Sequence, residues 1–436
     1  MLIGVQPWSS SGTGTGGGTG GPNAGKGVLL VVCLVVALCA VRGGVRGRVP
    51  AMWWWYFAYL ALAVLSTLLT GGEVSVAIRG ARIALALVIP LCLWPLLRDR
   101  PERLVTGMLV GYSLLAVLTL LGPVLAPSHA WLLGTHFSAG GRLKGAFLGM
   151  LPPRVGEIGA ITAGMSYLTW AHRRMPLRLS APLIVVGIAL IVLSRTRTAA
   201  AAALLGLLLA AFATYRSDAW RRQRNVLLGI AGAALALLPV VISWALRNQS
   251  DSQVTSLSGR TVAWDYIVHL KVDRVTWLFG HGLGQSEVFI RRGDNTLNYA
   301  PIDSSWLSLY YESGMAGAVL AGCGFLAAVW SAFAARTPYV RAVCVFIVTY
   351  AAVDSFNETG LSDVSSLVLM LLVAAFASSI DRTLWRYGRV RARADAGTNR
   401  EAHPLQQDIT YRRARKCLIT LPMASTGMHG LGGPTS

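Results

Sequence analysis

The sequence predicts an all-α protein, a polytopic transmembrane helix bundle of about 11–12 spans with one large extracytoplasmic loop. Three observations carry this. The chain is 54% hydrophobic and 13% charged over 436 residues, too apolar for an ordinary soluble domain. Its apolar runs approach the roughly 20 residues a helix needs to cross about 30 Å of hydrocarbon. Backbone polar groups in lipid must be satisfied within each segment, so such runs become helices rather than open sheet.

Residues 1–26 form a Gly/Ser-rich N-terminal tail expected to be disordered; no basic stretch precedes an apolar core, so it does not read as a signal peptide. The N-terminal transmembrane part, 27–246, holds apolar runs at 27–41, 51–70, 80–97, 104–126, 153–171, 181–194, 199–215 and 226–246. Residues 247–313 are the large extracytoplasmic loop, ending in an interfacial helix. The C-terminal spans occupy 314–381, with runs at 314–335, 340–356 and 362–380. Residues 382–436 read as a basic, disordered cytoplasmic tail, polar and punctuated by Gly and Thr.

A formal charge of +20 invites a nucleic-acid partner, but its placement argues against one. Arginines cluster in alternate connections: Arg42, Arg46 and Arg48; Arg98, Arg100 and Arg103; Arg173, Arg174 and Arg178; Arg216, Arg221, Arg222 and Arg224; Arg336 and Arg341; then Arg382 through Arg393. The other short connections are poor in cations. This is the positive-inside pattern of a multi-pass membrane protein, with those connections and the C-terminus cytoplasmic and 247–303 outside. Membrane lipids, not nucleic acid, are the partners such arginines meet. Cys33, Cys39, Cys92, Cys323 and Cys344 lie in the apolar runs and Cys417 in the tail, so no disulfide or cysteine metal site supports the outer region. Neither an Asp-x-Asp pair nor a His/carboxylate cluster with ligand spacing occurs in the outer loops. No metal or other cofactor is expected.

The long polar island from Arg247 to Asp303 is where function is expected, since long loops are functional or disordered and this one is patterned. Four outward patches follow in chain order. Arg142-Leu143-Lys144-Gly145 precedes Pro152-Pro153-Arg154 and Glu157. Ser194-Arg195-Thr196-Arg197 is squeezed between two spans. Ser258-Gly259-Arg260 precedes Trp264 and the turn Gly280-His281-Gly282-Leu283-Gly284. Asp303-Ser304-Ser305-Trp306 runs on to Glu312-Ser313-Gly314 and Gly317. Arginines at a membrane surface commonly snorkel or cap, yet positive charge is disfavoured in short outer loops. An anionic group such as a lipid phosphate explains their retention, because guanidinium donors match phosphate oxygens in a fork. Plainer roles also fit these residues: a local Arg154–Glu157 pair, Asp303 as a helix cap, His281 as a turn residue, and Trp306 with Tyr310 and Tyr311 as an interfacial belt.

Together these patches resemble the O-antigen ligase and O-antigen polymerase superfamily, integral-membrane glycosyltransferases acting on polyprenyl-diphosphate-linked saccharides. Its ligase signature is His followed by Asn, Ser or Gln, nine residues, Gly, two residues, then Gly, Thr or Val. Here Asp303-Ser304 is followed by nine residues, Gly314, two residues and Gly317. Ser194–Arg197, Ser258-Gly259-Arg260 with Trp264 and Gly282-x-Gly284, and Arg142-x-x-Gly145 are similar to the remaining elements. The resemblance covers roughly 140–335.

It implies a GT-C-like bundle and a metal-independent, inverting transfer or polymerisation of a lipid-linked glycan in envelope or exopolysaccharide synthesis. Arg197, Arg195 and Arg260 would neutralise the departing diphosphate, with Arg142, Lys144, Ser304, Trp306 and His281 around the substrate. Asp303 would serve the acceptor hydroxyl of a glycan or lipid. Asp303 stands where the ligases carry histidine; an aspartate is the weaker base at neutral pH, and this weakens a ligase more than a polymerase reading. The competing class is a transporter of lipid-linked saccharide, against which the absence of duplicated hydropathy weighs. A polytopic peptidoglycan glycosyltransferase would differ in substrate rather than in chemistry. A non-catalytic scaffold would follow if the change from His to Asp303 marks lost activity.

Overall fold

The computed structural model describes residues 31–35, 38, 49–69, 80–81, 83–91, 100–132, 141–147, 150–215, 217, 224, 260–283, 287–291, 297–362 and 364–398. The chain divides into two compact units, 1–384 and 385–436. The tail 1–26, the apolar run 226–246, Ser258-Gly259 and residues 399–436 lie outside the described residues.

The first unit is a helix bundle, the all-α class expected. Its first part contains α1 (Ala51–Leu69), α2 (Pro101–Leu125), α3 (Pro152–Ala171), α4 (Leu177–Ser194) and α5 (Arg197–Ala213). The two-residue strands β1 (Trp131–Leu132) and β2 (Arg142–Leu143) pair between α2 and α3. The large loop contributes α6 (Arg260–His269), α7 (Arg274–Phe279) and the antiparallel strands β3 (Glu287–Arg291) and β4 (Leu297–Pro301). Then come α8 (Ser305–Phe333), α9 (Pro338–Asp354) and α10 (Ser366–Thr398). Among the described residues, Ala51–Leu69, Pro101–Leu125, Leu177–Ser194, Ser305–Phe333 and Ser366–Arg386 are long and apolar enough to cross a membrane.

Prolines set several starts: Pro101, Pro152 and Pro338 occupy the first helical turn, where a missing N–H is harmless. The last helix corrects one expectation. Residues 382–398, which the sequence pattern places in a disordered tail, are helical, because the stretch around Arg391-Ala392-Arg393-Ala394 is built from strong helix formers.

α3 and α9 are buried on nearly every side and form the centre of the core. Without a hydrophobic force between helices in lipid, close backbone approach through small residues holds them. A Cβ on Gly159 would lie 2.5 Å from the Gly187 carbonyl, and one on Gly187 equally close to the Gly159 carbonyl, so α3 and α4 touch backbone to backbone. Phe346 of α9 fills the notch left by Gly164 and Gly206, locking α3, α5 and α9 together. α8 packs on α1. It is two helices in one: Gly314, at φ 66° and ψ −171°, breaks it into an aromatic half-helix and the span that follows. The half-helix buries Leu307, Tyr310 and Tyr311 against Ala263, Ile267, Val288 and Ile302 of the large loop.

Candidate active site

The turn joining α4 to α5 is built around Arg195, which adopts the left-handed conformation at φ 54°. Its N–H bonds the Val192 carbonyl at 3.2 Å and that of Thr196 the Ile191 carbonyl at 3.4 Å, the paired closure that ends many helices. Glycine is the usual residue there; an arginine places a cation at the negative end of the helix dipole instead. Arg195 is exposed and Arg197, first residue of α5, is half-buried. Arg142 reaches across from β2, its Nε donating to the Ser194 carbonyl at 3.0 Å, and Lys144 is half-buried two residues along. Thr196 ties the turn to the start of α3: its hydroxyl donates to the Pro152 carbonyl at 3.1 Å, and a Cβ on Gly156 would strike its side chain.

One turn into α3, Arg154 and Glu157 form the pair their spacing predicts, 2.6 Å apart and buried. Arg154 does more than pair locally. Its guanidinium also donates to the Ser366 hydroxyl at 3.1 Å and the Thr359 carbonyl at 2.9 Å, while Glu157 accepts from the Tyr112 hydroxyl at 2.9 Å. Four stretches of chain, α2, α3, α10 and residues 355–365, thus meet on one ion pair. The 355–365 strap continues to the start of α8. There Ser305 N–H donates to the Ser355 carbonyl at 2.9 Å, Ser305 Oγ to the Glu358 carbonyl at 2.6 Å, and the Trp306 indole N–H to Ser355 Oγ at 3.0 Å.

Asp303 stands directly before this anchored helix start and is half-buried. Ser304, not Asp303, occupies the N-cap position, and its side chain makes no capping bond. Contacts run without interruption from Arg142 and the Arg195 turn, through Pro152 and Arg154, to the strap that holds Ser305. All belong to one end of the bundle. The other end carries Arg174, paired with Glu102 at 2.6 Å; Arg336 and Thr337, whose N–H groups donate to Asp381; and Arg341, donating to the Ala335 carbonyl at 2.6 Å.

Two predicted residues, Trp306 and His281, are held by contacts within the fold. Trp306 spends its N–H on Ser355 and packs edge-on against Phe325 with centroids 5.7 Å apart, so it braces the strap. His281 stacks on the Tyr311 ring at 4.2 Å, and its N–H and that of Gly282 donate to the Tyr311 and Glu312 carbonyls, both at 2.9 Å. Those carbonyls sit next to the helix break at Gly314, so the Gly280-His281-Gly282 turn docks into the kink. Arg260 opens α6, which packs on β4 and the half-helix; its side chain lies outside the described residues. Sequence reasoning missed Tyr112, Thr359 and Ser366. The available signal was the strap itself, a Ser-rich connection with acidic Asp354 and Glu358 and no cation.

The arrangement presents arginines and a carboxylate at one end of a membrane bundle, in the order and spacing of the resemblance. Residues 182–322 match the family model of the O-antigen ligase. The match supports the O-antigen ligase and polymerase superfamily, and with it a multi-pass membrane protein of cell-envelope glycan synthesis. None of the curated proteins compared matches the chain. The matched segment takes in Arg195, Arg197, Arg260, His281 and Asp303. Arg142, Lys144, Arg154 and the strap fall outside it, so the contacts that hold the segment's two ends come from flanking chain.

Proposed function

We propose that the protein transfers or polymerises a polyprenyl-diphosphate-linked glycan on the extracytoplasmic face of the inner membrane, without metal or nucleotide. The observation that carries this reading is the shared end of Arg142, Arg195, Arg197 and Asp303, opposite the end where Arg174, Arg336, Arg341 and Arg382 meet their partners. The positive-inside rule makes the latter end cytoplasmic. Arg195, Arg197 and Arg260, with Arg142 and Lys144 behind them, neutralise the diphosphate as the anomeric C–O bond breaks and its electron pair goes to the leaving oxygen. The acceptor hydroxyl attacks from the opposite side, forms the new glycosidic bond, inverts the centre, and passes its proton to Asp303. An ordinary carboxylate is a weak base, but it suffices when oxocarbenium character develops early and the proton leaves late. Removing one charge-stabilising contact lowers such rates by about 10²–10³.

The test is purified protein incubated with a lipid-linked oligosaccharide and no nucleotide sugar. Longer glycan, or a glycosylated acceptor, is expected from the native protein, and little from Arg197→Ala, Arg260→Ala or Asp303→Ala. Full turnover by all three variants overturns the assignment. Movement of intact lipid-linked saccharide across the bilayer, with no new glycosidic bond, identifies a transporter instead.

A further inference from the structure

At the end of the bundle opposite this site, α2, α4 and the turn between α3 and α4 enclose a groove. It forms a cavity of about 480 Å³. Its long wall is a stripe on α2 at helical spacing, Glu102, Thr106, Val110, Leu114 and Val117, faced by Leu183 of α4. Val110, Leu114 and Val117 are 52%, 67% and 44% exposed, so the apolar part opens sideways, toward lipid in a membrane. From Glu102 to Val117 the stripe runs about 22 Å at the usual helical rise. That is the reach of one extended acyl chain.

The mouth has a different chemistry. Arg174 lies over the Tyr339 ring at 5.6 Å and is fixed by Glu102 at 2.6 Å, yet its side chain remains 46% exposed. Arg173 beside it is exposed and held at φ 59° by the closed end of α3. Both arginines also line an adjoining hollow of about 380 Å³, with Trp170, Met175 and Pro176. Among the described residues Glu102 is the sole carboxylate lining either space, so the mouth keeps a net positive charge.

We propose that this groove holds one anionic phospholipid of the surrounding bilayer, its phosphate at Arg173 and Arg174 and one acyl chain along α2. Guanidinium donors already fixed by a carboxylate and a ring lose little entropy on meeting a phosphate. Thr106, one helical turn below Glu102, lies at the depth of the ester groups. A zwitterionic headgroup would bring its own cation to a mouth with surplus positive charge, so charge complementarity selects the anionic class. The proposal is independent of the reaction at the other end.

The test uses the full chain, delipidated and returned to bilayer discs of phosphatidylcholine with phosphatidylglycerol, with retained lipid counted by native mass spectrometry. The native protein is expected to keep one phosphatidylglycerol in preference to phosphatidylcholine. Arg173→Gly with Arg174→Gln removes the headgroup contacts, and Leu114→Trp fills the groove from a lipid-facing position that does not threaten folding. Each is expected to lower the preference roughly tenfold or more. Equal retention of both lipids by the native protein, undiminished preference in Leu114→Trp, or preferential uptake of a polyprenyl phosphate there overturns the proposal.

Discussion

Two turns of this bundle share one design and differ in everything around it. α3 and α4 each end in the same paired backbone closure, and each puts an arginine, Arg173 or Arg195, in the left-handed position that glycine usually takes. Both gain from a cation at the helix C-terminus. Around Arg173 the neighbouring charges are exposed: the Arg174–Glu102 pair has side chains 46% and 36% accessible. Around Arg195 the turn is roofed by Arg142 and seated on Pro152, and one turn further into α3 the Arg154–Glu157 pair is only 14% and 1% accessible. Local sequence makes the turn, and the packing around it decides whether the neighbouring charges are exposed or buried.

The sharpest way to break the comparison is to remove one arginine from each ion pair. Arg154→Ala strands the buried Glu157 and releases both Thr359 and Ser366, so it is expected to lower stability by about 3–5 kcal/mol. Arg174→Ala, in an exposed pair, is expected to cost no more than about 1 kcal/mol. Thermal unfolding of the two variants in one detergent checks this. Equal losses would mean that the α3 start is not the anchor inferred from its contacts.

Substitution by glycine separates the turn from its guanidinium. Glycine accepts positive φ freely, so Arg195→Gly and Arg173→Gly are each expected to leave stability unchanged or raised by about 1 kcal/mol. Their activities should then part. Arg195→Gly is expected to lose about 10²–10³ of glycan transfer, whereas Arg173→Gly keeps it. An Arg195→Gly protein with native turnover would show that this turn holds no substrate charge.

The same contrast between local and long-range determinants governs what could be read from the chain alone. Helices followed from apolar runs, and the α3 start from Pro152-Pro153, because both are properties of short windows. The role of Gly314 was not visible, because its requirement comes from far away: a Cβ there would lie 2.3 Å from the Leu278 carbonyl. Half of the motif that carries the resemblance is thus architecture, a break that receives the Gly280-His281-Gly282 turn. Nor did Arg154 reveal more than Glu157 as a partner, since Thr359 and Ser366 lie more than two hundred residues along the chain. The boundary at Gly314 itself was legible, because the interfacial helix was expected to end at 313 and the next apolar run to begin at 314. Gly314→Ala is expected to destabilise by about 1–3 kcal/mol, with the clash added to the strained backbone. Gly322→Ala in the same helix, where the nearest atom is Trp306 Cζ3 at 3.8 Å, is expected to be neutral or slightly stabilising. Unfolding curves that do not distinguish the two would remove the docking role of the kink.

The smallest effect belongs to the turn at Arg173 and is a matter of pH. His172 ends α3 beside the Tyr339 ring, 5.8 Å away, and burial, followed by the neighbouring Arg174 charge, pushes its imidazole down to about 4. Well above pH 7 it is neutral in both folded and unfolded chains and contributes no pH dependence. As the pH falls through the ordinary histidine value near 6.5, the unfolded chain takes up a proton that the folded chain refuses until about pH 4. Stability therefore declines with acidification across that window, by at most ~1.4 kcal/mol per pH unit. His172→Gln is expected to flatten this slope, and Arg174→Gln to reduce it by less, because burial is the larger cause. Melting temperatures at pH 7, 5.5 and 4.5 decide the matter: a native slope that survives His172→Gln places the acid sensitivity at another group.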